Sequence, residues 1–566
     1  MKKILSALLC AALLTGCAAN LPAEPIPASS SESTEPATPP IASPEYTSRF
    51  NAVTDIVLSD DGILVDALDS GEEYNETVFV THDIICYEDR DTYESGNPYG
   101  EGTDADKHTA AEAASHAVVN ITAPGAYRIS GKLSAGQIRI DLGENACKDP
   151  NAVVELILDN TDITCTVAPA ILFLNTYECD ENWSTDTAKA EVDTSAAGAN
   201  LILNGSSTVN GAYVAKIFKD TDGEKKLWKQ DGAIYSYMSM NVFGPGSLEL
   251  NAANEGLDTE LHLTINGGSI VIKSDNDGIN TNEDGVSVTT INGGNLTICA
   301  GLGAEGDGID SNGYLVINGG TIISSAKPIA DAGLDSDLGS FIHGGTVVAL
   351  GSAMDWAESN SGQVTMNLQF AQQQEAGSKI VITREDGTEI FSFEDDGPHS
   401  RGFSGLILSH AAFTQGETYH VCVDGVQMSY TGTDVMRGPG GFGGRPGGAV
   451  GMPEDFDPEN MPEGFDFENI PEGFEPGRMP GNFDPENMPE GFDPSQMDGR
   501  GQRPEGDRKL PSEGFDGKFP EGMAPPEMPE GGFDPRQQSS MPAGEPDTAF
   551  YMNDMVNFFS GVAVAE

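Results

Sequence analysis

The stretch DGIDSNGYLVINGG, residues 307–320, sets an Asp-Gly-Ile-Asp phrase and an Asn-Gly-Gly phrase on either side of a short apolar run. Related phrases flank it: EGLDTELHLTINGG ends at Gly268, DGINTNEDGVSVTTINGG at Gly294 and AGLDSDLGSFIHGG at Gly345. The glycine pairs 267/268, 293/294, 319/320 and 344/345 therefore recur at spacings of 26, 26 and 25 residues. A steady period of that size marks a chain built from stacked repeats. Within each repeat LHLTI, VSVTTI, YLVI or GSFI precedes the glycines, and SIVI, NLTI, TIIS or TVVA follows them. Alternation and β-branched residues predict strands, and Asn-Gly-Gly predicts a turn in which Gly supplies φ > 0. No long stretch here has a helical period, and a propeller blade needs about 40 residues or more.

The repeat predicts an all-β chain, a right-handed parallel β-helix over residues 49–436, with three short strands per repeat. Equivalent residues then stack. Ile265, Ile291, Ile317 and Ile342 form one inward aliphatic ladder, and Leu257, Ile279, Ile309 and Leu334 another. Earlier segments read as less regular repeats of the same kind: AYRISGKLSAGQIRIDL, AVVELILDNTDIT, ANLILNGSSTV and DGAIYSYMSMNVFGPGSLEL. A flat β-sandwich is the alternative.

The polar half of the phrase carries the chemistry. Two residues after glycines 256, 278, 308 and 333 come Asp258, Asn280, Asp310 and Asp335, and just before the first three glycines lie Glu255, Asp277 and Asp307. In stacked repeats these oxygens sit about 4.8 Å apart. Carboxylates so close repel unless solvated, protonated or bridged by a cation. Asp and Asn are good turn formers, which is enough to explain any one of them. The set as a whole points to a bound hard cation, Ca²⁺, which takes six to eight oxygen ligands. The spacing matches neither an EF-hand loop nor a nonapeptide calcium repeat.

The net charge is −60. Residues 437–546 hold 23 acidic and 9 basic residues and so carry −14, which leaves −46 for the rest. Nucleic acid is excluded as a partner by the lack of a basic footprint, and cations are favoured. The chain opens MKKILSALLCAALLTGC, in which Lys2 and Lys3 precede an apolar run too short to span a bilayer. Residues 1–16 read as a lipoprotein signal peptide and Cys17 as the lipidated residue. Residues 17–48, rich in Pro, Ser, Ala and Thr, read as a tether, placing the protein on the extracellular face of a bacterial membrane. Six further cysteines are widely spaced, with no C-x-x-C, so zinc is disfavoured and one or two disulfides are open.

At DGAIYS, EGLDTELHLTINGG, DGINTNEDGVSVTTINGG, AEGDGIDSNGYLVINGG and AGLDSD the chain resembles the carbohydrate-binding domain-containing β-helix lipoproteins of Gram-positive anaerobes, which are shaped like pectate lyases. The resemblance runs from about Asn51 to Tyr430 and returns at FYMNDMVNFFSG, residues 550–561. It implies binding of plant cell-wall polysaccharide, acidic polygalacturonate and cellulose, with calcium sites and without established catalysis. Lyases of this shape add a basic residue that abstracts a sugar proton. Lys273 and Lys327 are the nearest candidates, and a solvated face explains both. Candidate ligand contacts are Asp337 and Trp356, with Trp183 and Trp228 also in polar surroundings.

Residues 437–546 are a low-complexity, acidic Pro/Gly-rich insertion, with Phe456, Phe465, Phe474, Phe483 and Phe492 nine residues apart. This composition predicts disorder. The apolar strip 547–566 is predicted to return and dock on the β-helix. Three functions stay open: a polysaccharide-binding surface lipoprotein, a calcium-dependent lyase, and a structural or adhesive envelope protein.

Overall fold

The computed structural model describes residues 46–66, 68–69, 77–84, 108–433 (without 182, 222–223, 329, 353–354 and 395–399) and 545–565. Cys17, the tether as far as residue 45 and residues 437–544 of the Pro/Gly-rich insertion lie outside the described residues. Among those residues the protein is all-β, with one short α-helix at Ala110–Ala113. Among the described residues no helix is long and apolar enough to cross a membrane.

Three parallel ladders organise residues 117–351. Ladder A stacks Ala199–Asn204, Met240–Phe243, Leu263–Ile265, Val288–Ile291, Tyr314–Ile317 and Gly339–Ile342. Ladder B stacks Ser206–Gly211, Ser247–Ala252, Ser269–Ser274, Asn295–Cys299, Thr321–Ser325 and Thr346–Gly351. Ladder C stacks Ala117–Ile121, Gly136–Asp141, Ile171–Asn175, Gly232–Ser236, Glu255–Thr259, Ile279–Thr281 and Ile309–Ser311. From Gly232 onward the chain visits C, A and B in that order on every pass. The first pass is joined at its start by Val53–Leu58, which pairs in parallel with Gly125–Leu133. Parallel pairing along all three ladders is foreign to a flat antiparallel sandwich.

The aliphatic residues occupy the places their spacing predicts. Ile265, Ile291, Ile317 and Ile342 are in register and fully buried. Leu257, Ile279 and Ile309 are likewise in register. Leu334 continues that column without forming a strand, because Ile309 N donates to Gly333 O. Together they line one apolar interior shared by all three ladders.

The Asn-Gly-Gly corner has two separable requirements. The second glycine takes positive φ, 98° at Gly268, 96° at Gly294, and 91° at both Gly320 and Gly345. Asparagines before the glycines stack: Asn292 Nδ2 donates to Asn266 Oδ1, and Asn318 Nδ2 to Asn292 Oδ1, each at 2.9 Å.

The repeat does not run to residue 436. It ends at Gly351, after the last Gly-Gly phrase, and the strands that follow pair antiparallel. Thr365–Gln374 and Thr346–Gly351 both pair with Phe403–Ser409, and Lys379–Arg384 pairs with Thr418–Val423. These strands enclose a second apolar cluster around Leu368, Leu406, Leu408, Tyr419, Phe550 and Phe559. The physical reason is local: beyond Gly351 the chain has no repeated glycine corner to return it to the next pass. The C-terminal strip docks here, with Val556–Val564 parallel to Thr365–Gln374. Tyr430 and Asp547 exchange backbone hydrogen bonds of 2.9 and 3.0 Å, so the two ends of the insertion meet.

Candidate functional site

The polar column grows directly from ladder C. Glycine precedes Leu257, Ile279 and Ile309 because nothing larger fits there. A Cβ on Gly278 would lie 2.2 Å from Ile298 Cγ2 of ladder B and 2.5 Å from Gly308 O. Gly256 and Gly308 meet equivalent obstacles. With Leu257, Ile279 and Ile309 inward, the next residues face out by alternation. Register places Tyr235, Asp258, Asn280 and Asp310 in one column. Asp335 extends it, since Asp335 N donates to Ile309 O and Ser311 N to Asp335 O. Two residues further along each pass a second column runs through Glu260, Asn282, Asn312 and Asp337, linked by backbone hydrogen bonds from one pass to the next.

Much of this outward face is covered. Asp258 is completely buried, Glu255, Asn280 and Asp277 are buried, and Asp307, Asp310 and Asp335 are partly exposed. Asp337 is exposed. The hydrogen bonds are few for so many oxygens. Asn282 Nδ2 donates to Asp258 Oδ1 at 2.7 Å, and Asn280 Nδ2 to Glu255 Oε2 at 3.2 Å. Asp307 N donates to Asp277 Oδ1 at 2.7 Å, and Ala332 N to Asp307 Oδ1. Asp258 Oδ2 and Asn280 Oδ1 are buried with no partner, as is Asp355 Oδ2 beside the far end of the column.

Burial and mutual repulsion hold these acids away from their usual range. Burial, with Asp231 and Asp277, pushes Glu255 up to about 8. Burial, with Asp335 and Asp277, pushes Asp307 up to about 9, and burial with Asp335 pushes Asp355 up to about 8. Asp277 rises to about 6, burial outweighing its bond from Asp307. Asp258 and Asp310 are raised well above the carboxylate range, again by burial first and neighbouring acids second. The ammonium of Lys229 stands near the column. Lys229 Nζ lies 2.7 Å from Asp231 Oδ2, and although burial opposes its charge, Asp231, Glu255 and Asp258 raise its pKa.

The donor set is right in kind for a hard cation: carboxylates and amide oxygens, with no thiolate or imidazole. As the side chains stand, no three His, Cys, Asp or Glu groups among the described residues converge on one point. Seating an ion therefore needs rotation of side chains, and Asp258 Oδ2 and Asn280 Oδ1 are buried oxygens with no hydrogen bond of their own to give up.

Other expected site residues fall elsewhere. Trp356 does not present a sugar platform: it is 8% exposed and packs edge-on against Phe558 of the docked C-terminal strip, with 6.3 Å between ring centres. Trp183 is 43% exposed. Lys273 Nζ pairs with Glu249 at 2.8 Å, and Lys327 Nζ donates to the carbonyls of Gly303, at 2.7 Å, and Ala304. Both amines are thus tied to ladder B and its loops. The cysteines at 147, 165, 179, 299 and 422 form no disulfide. Asp231 and Asp355 join the acidic group without having been marked by spacing. Asp231 does precede a glycine, in DGAIYS, but lies one residue further from its inward isoleucine than the other acids do. Asp355 follows the last repeat and had no signal.

The carbohydrate-binding domain-containing protein family matches residues 115–407, just over half the chain and all three ladders. The chain belongs to that family. A carbohydrate-binding domain-containing protein of Acetivibrio thermocellus is 31% identical over 157 residues, which cover 28% of this chain and 45% of the relative. This chain therefore spans less than half of that relative's length. A solved structure, a polysaccharide lyase-like protein from C. thermocellum in a gadolinium derivative, is 22% identical and covers 52% of this chain and 93% of its own, at a TM-score of 0.31.

Proposed function

We propose that the protein is a non-catalytic polysaccharide-binding protein of the bacterial cell surface, anchored by lipid at Cys17. In this reading the passes wind as a right-handed parallel β-helix, and Ca²⁺ is held along the polar column of ladder C. The ligand is plant cell-wall polysaccharide, including acidic pectin of the polygalacturonate type and cellulose. Membership of a carbohydrate-binding family across residues 115–407 carries this reading. The calcium component rests on the unpartnered buried oxygens of Asp258 and Asn280 and on the dense acids around them. Ca²⁺ held near Asp258, Asn280 and Glu255 would be structural, neutralising acids that water does not reach. At the partly exposed end, near Asp307, Asp310 and Asp335, with Asp337 alongside, an ion has room to accept a uronate carboxylate as an outer ligand. A surface this acidic repels a polyuronate unless a cation lies between them. A lyase reading gains nothing from Lys273 or Lys327, whose amines are already engaged.

Calorimetric titration of EDTA-treated protein with CaCl₂, followed by polygalacturonate, tests the reading. The expected result is calcium binding, a raised melting temperature through selective binding to the folded state, and uronate binding that EDTA abolishes while the fold survives. Uronate binding unchanged in EDTA and in Asp310→Ala rejects the bridging role. Absorbance of unsaturated product released from polygalacturonate would instead establish a lyase.

A further inference from the structure

The outer face of ladder A carries a cleft of about 700 Å³, away from the acidic column of ladder C. Its floor is built by register. Thr290, Val316 and Phe341 form one outward column. Two residues along, Asn292, Asn318 and His343 form another, joined by backbone bonds from Asn318 N to Ile291 O and from His343 N to Ile317 O. The segment 189–193 supplies a wall bearing Lys189, Glu191 and Asp193.

We infer that this cleft binds a neutral, extended polysaccharide chain, lying across the passes with its sugar faces on Phe341 and its hydroxyls on the stacked amides. The inference rests on the carbohydrate-binding reading and adds a site separate from the acidic column.

Three observations support it. First, the ring of Phe341 is half-buried and nearly parallel to that of His343, at 12° and 6.4 Å between centres, with Tyr314 beside it at 6.1 Å. Adjacent rings offer an apolar strip for the C–H face of a flat sugar. Second, the donors repeat. The asparagine ladder uses one N–H of each amide and leaves the other. His343 Nδ1 accepts from Gly362 N at 3.0 Å, so the neutral ring carries its proton on Nε2 as a donor. Donors on successive passes stand about 4.8 Å apart, close to the advance of one sugar in an extended chain. Third, the wall has two carboxylates against one ammonium. Asp193 accepts from Ser195 N at 2.9 Å, and its bonds from Ser195 hold it below the usual range, so it stays charged and disfavours a uronate.

The test uses the full chain loaded with calcium and a soluble β-1,4-glucan hexasaccharide, with affinity measured by calorimetry. Phe341→Ala and Asn318→Ala are each expected to weaken binding roughly tenfold, while Phe341→Trp retains it. Val271→Thr, on the exposed face of ladder B, is the control expected to bind as wild type. Should Phe341→Ala lower the melting temperature, Asn318→Ala, at an exposed position, decides the matter alone. Hexasaccharide binding that neither variant weakens overturns the inference, as does tighter binding of an oligogalacturonate lost in the same variants. If polygalacturonate binds and the neutral chain does not, the cleft is rejected and the carbohydrate-binding reading stands. If neither binds, both fall.

Discussion

At the scale of single residues, the Asp-Gly-Ile-Asp phrase joins a steric need to an electrostatic one. The glycine is there because ladders B and C approach too closely for a Cβ, so Gly278→Ala is expected to destabilise by about 1–3 kcal/mol. Urea unfolding checks this, and an unchanged midpoint would contradict the packing at Ile298. The acids add a dependence on pH. Glu255 and Asp307 have pKa values pushed up to about 8 and about 9, so between the ordinary carboxylate range and those values the folded state holds more protons than the unfolded. In EDTA, stability should therefore fall as pH rises through that window, the reverse of the behaviour of a salt-bridged acid. Asp307→Asn should reduce the slope, and its Oδ1 can still accept from Ala332 N. A melting temperature in EDTA that rises steadily to pH 9 would refute this account.

At the scale of elements, the strands are too short to be stable alone, and each is fixed by the passes on either side. Val288–Ile291, Tyr314–Ile317 and Gly339–Ile342 have four residues each. Ile317 sits fully buried between Ile291 and Ile342, so Ile317→Asp places an unpaired charge in the interior. The expected cost is at least about 3 kcal/mol, with loss of amide protection in the neighbouring passes. Hydrogen exchange measures this, and wild-type protection would mean that the inward column is wrong. The asparagine ladder adds side-chain hydrogen bonds along the same corners. The sequence showed these asparagines as turn residues, and only their stacking shows them as a continuous row of donors.

At the scale of the whole molecule, the stacked passes end against an antiparallel unit that the C-terminal strip completes. Val556–Val564 pairs with Thr365–Gln374 and with Val426–Ser429, and Phe550 and Phe559 are buried within the second cluster. Limited proteolysis is expected to cut first in the Pro/Gly-rich stretch 437–546 and to leave the C-terminal fragment bound through gel filtration. Elution of that fragment away from the rest under native conditions would count against the docking. The same strip buries Trp356 through Phe558, which removes from the surface the one tryptophan that follows the last repeat.

The sequence by itself determined the period, the strand-rich class, the inward columns and the alignment of Asp258, Asn280, Asp310 and Asp335. Each of these follows from a repeat, and a stacked repeat brings equal positions into register. It did not determine what the chain builds once the glycine corners stop, since the antiparallel pairing of Thr346–Gly351 with Phe403–Ser409 and the docking of Val556–Val564 on Thr365–Gln374 are long-range. Nor did it show that Asp258 lies covered while Asp337 is open. Tertiary structure also decided that Trp356 is buried and that Asn292, Asn318, Phe341 and His343 share a cleft with residues 189–193. Exposure and clefts arise from segments that meet only after folding, and no local spacing encodes them.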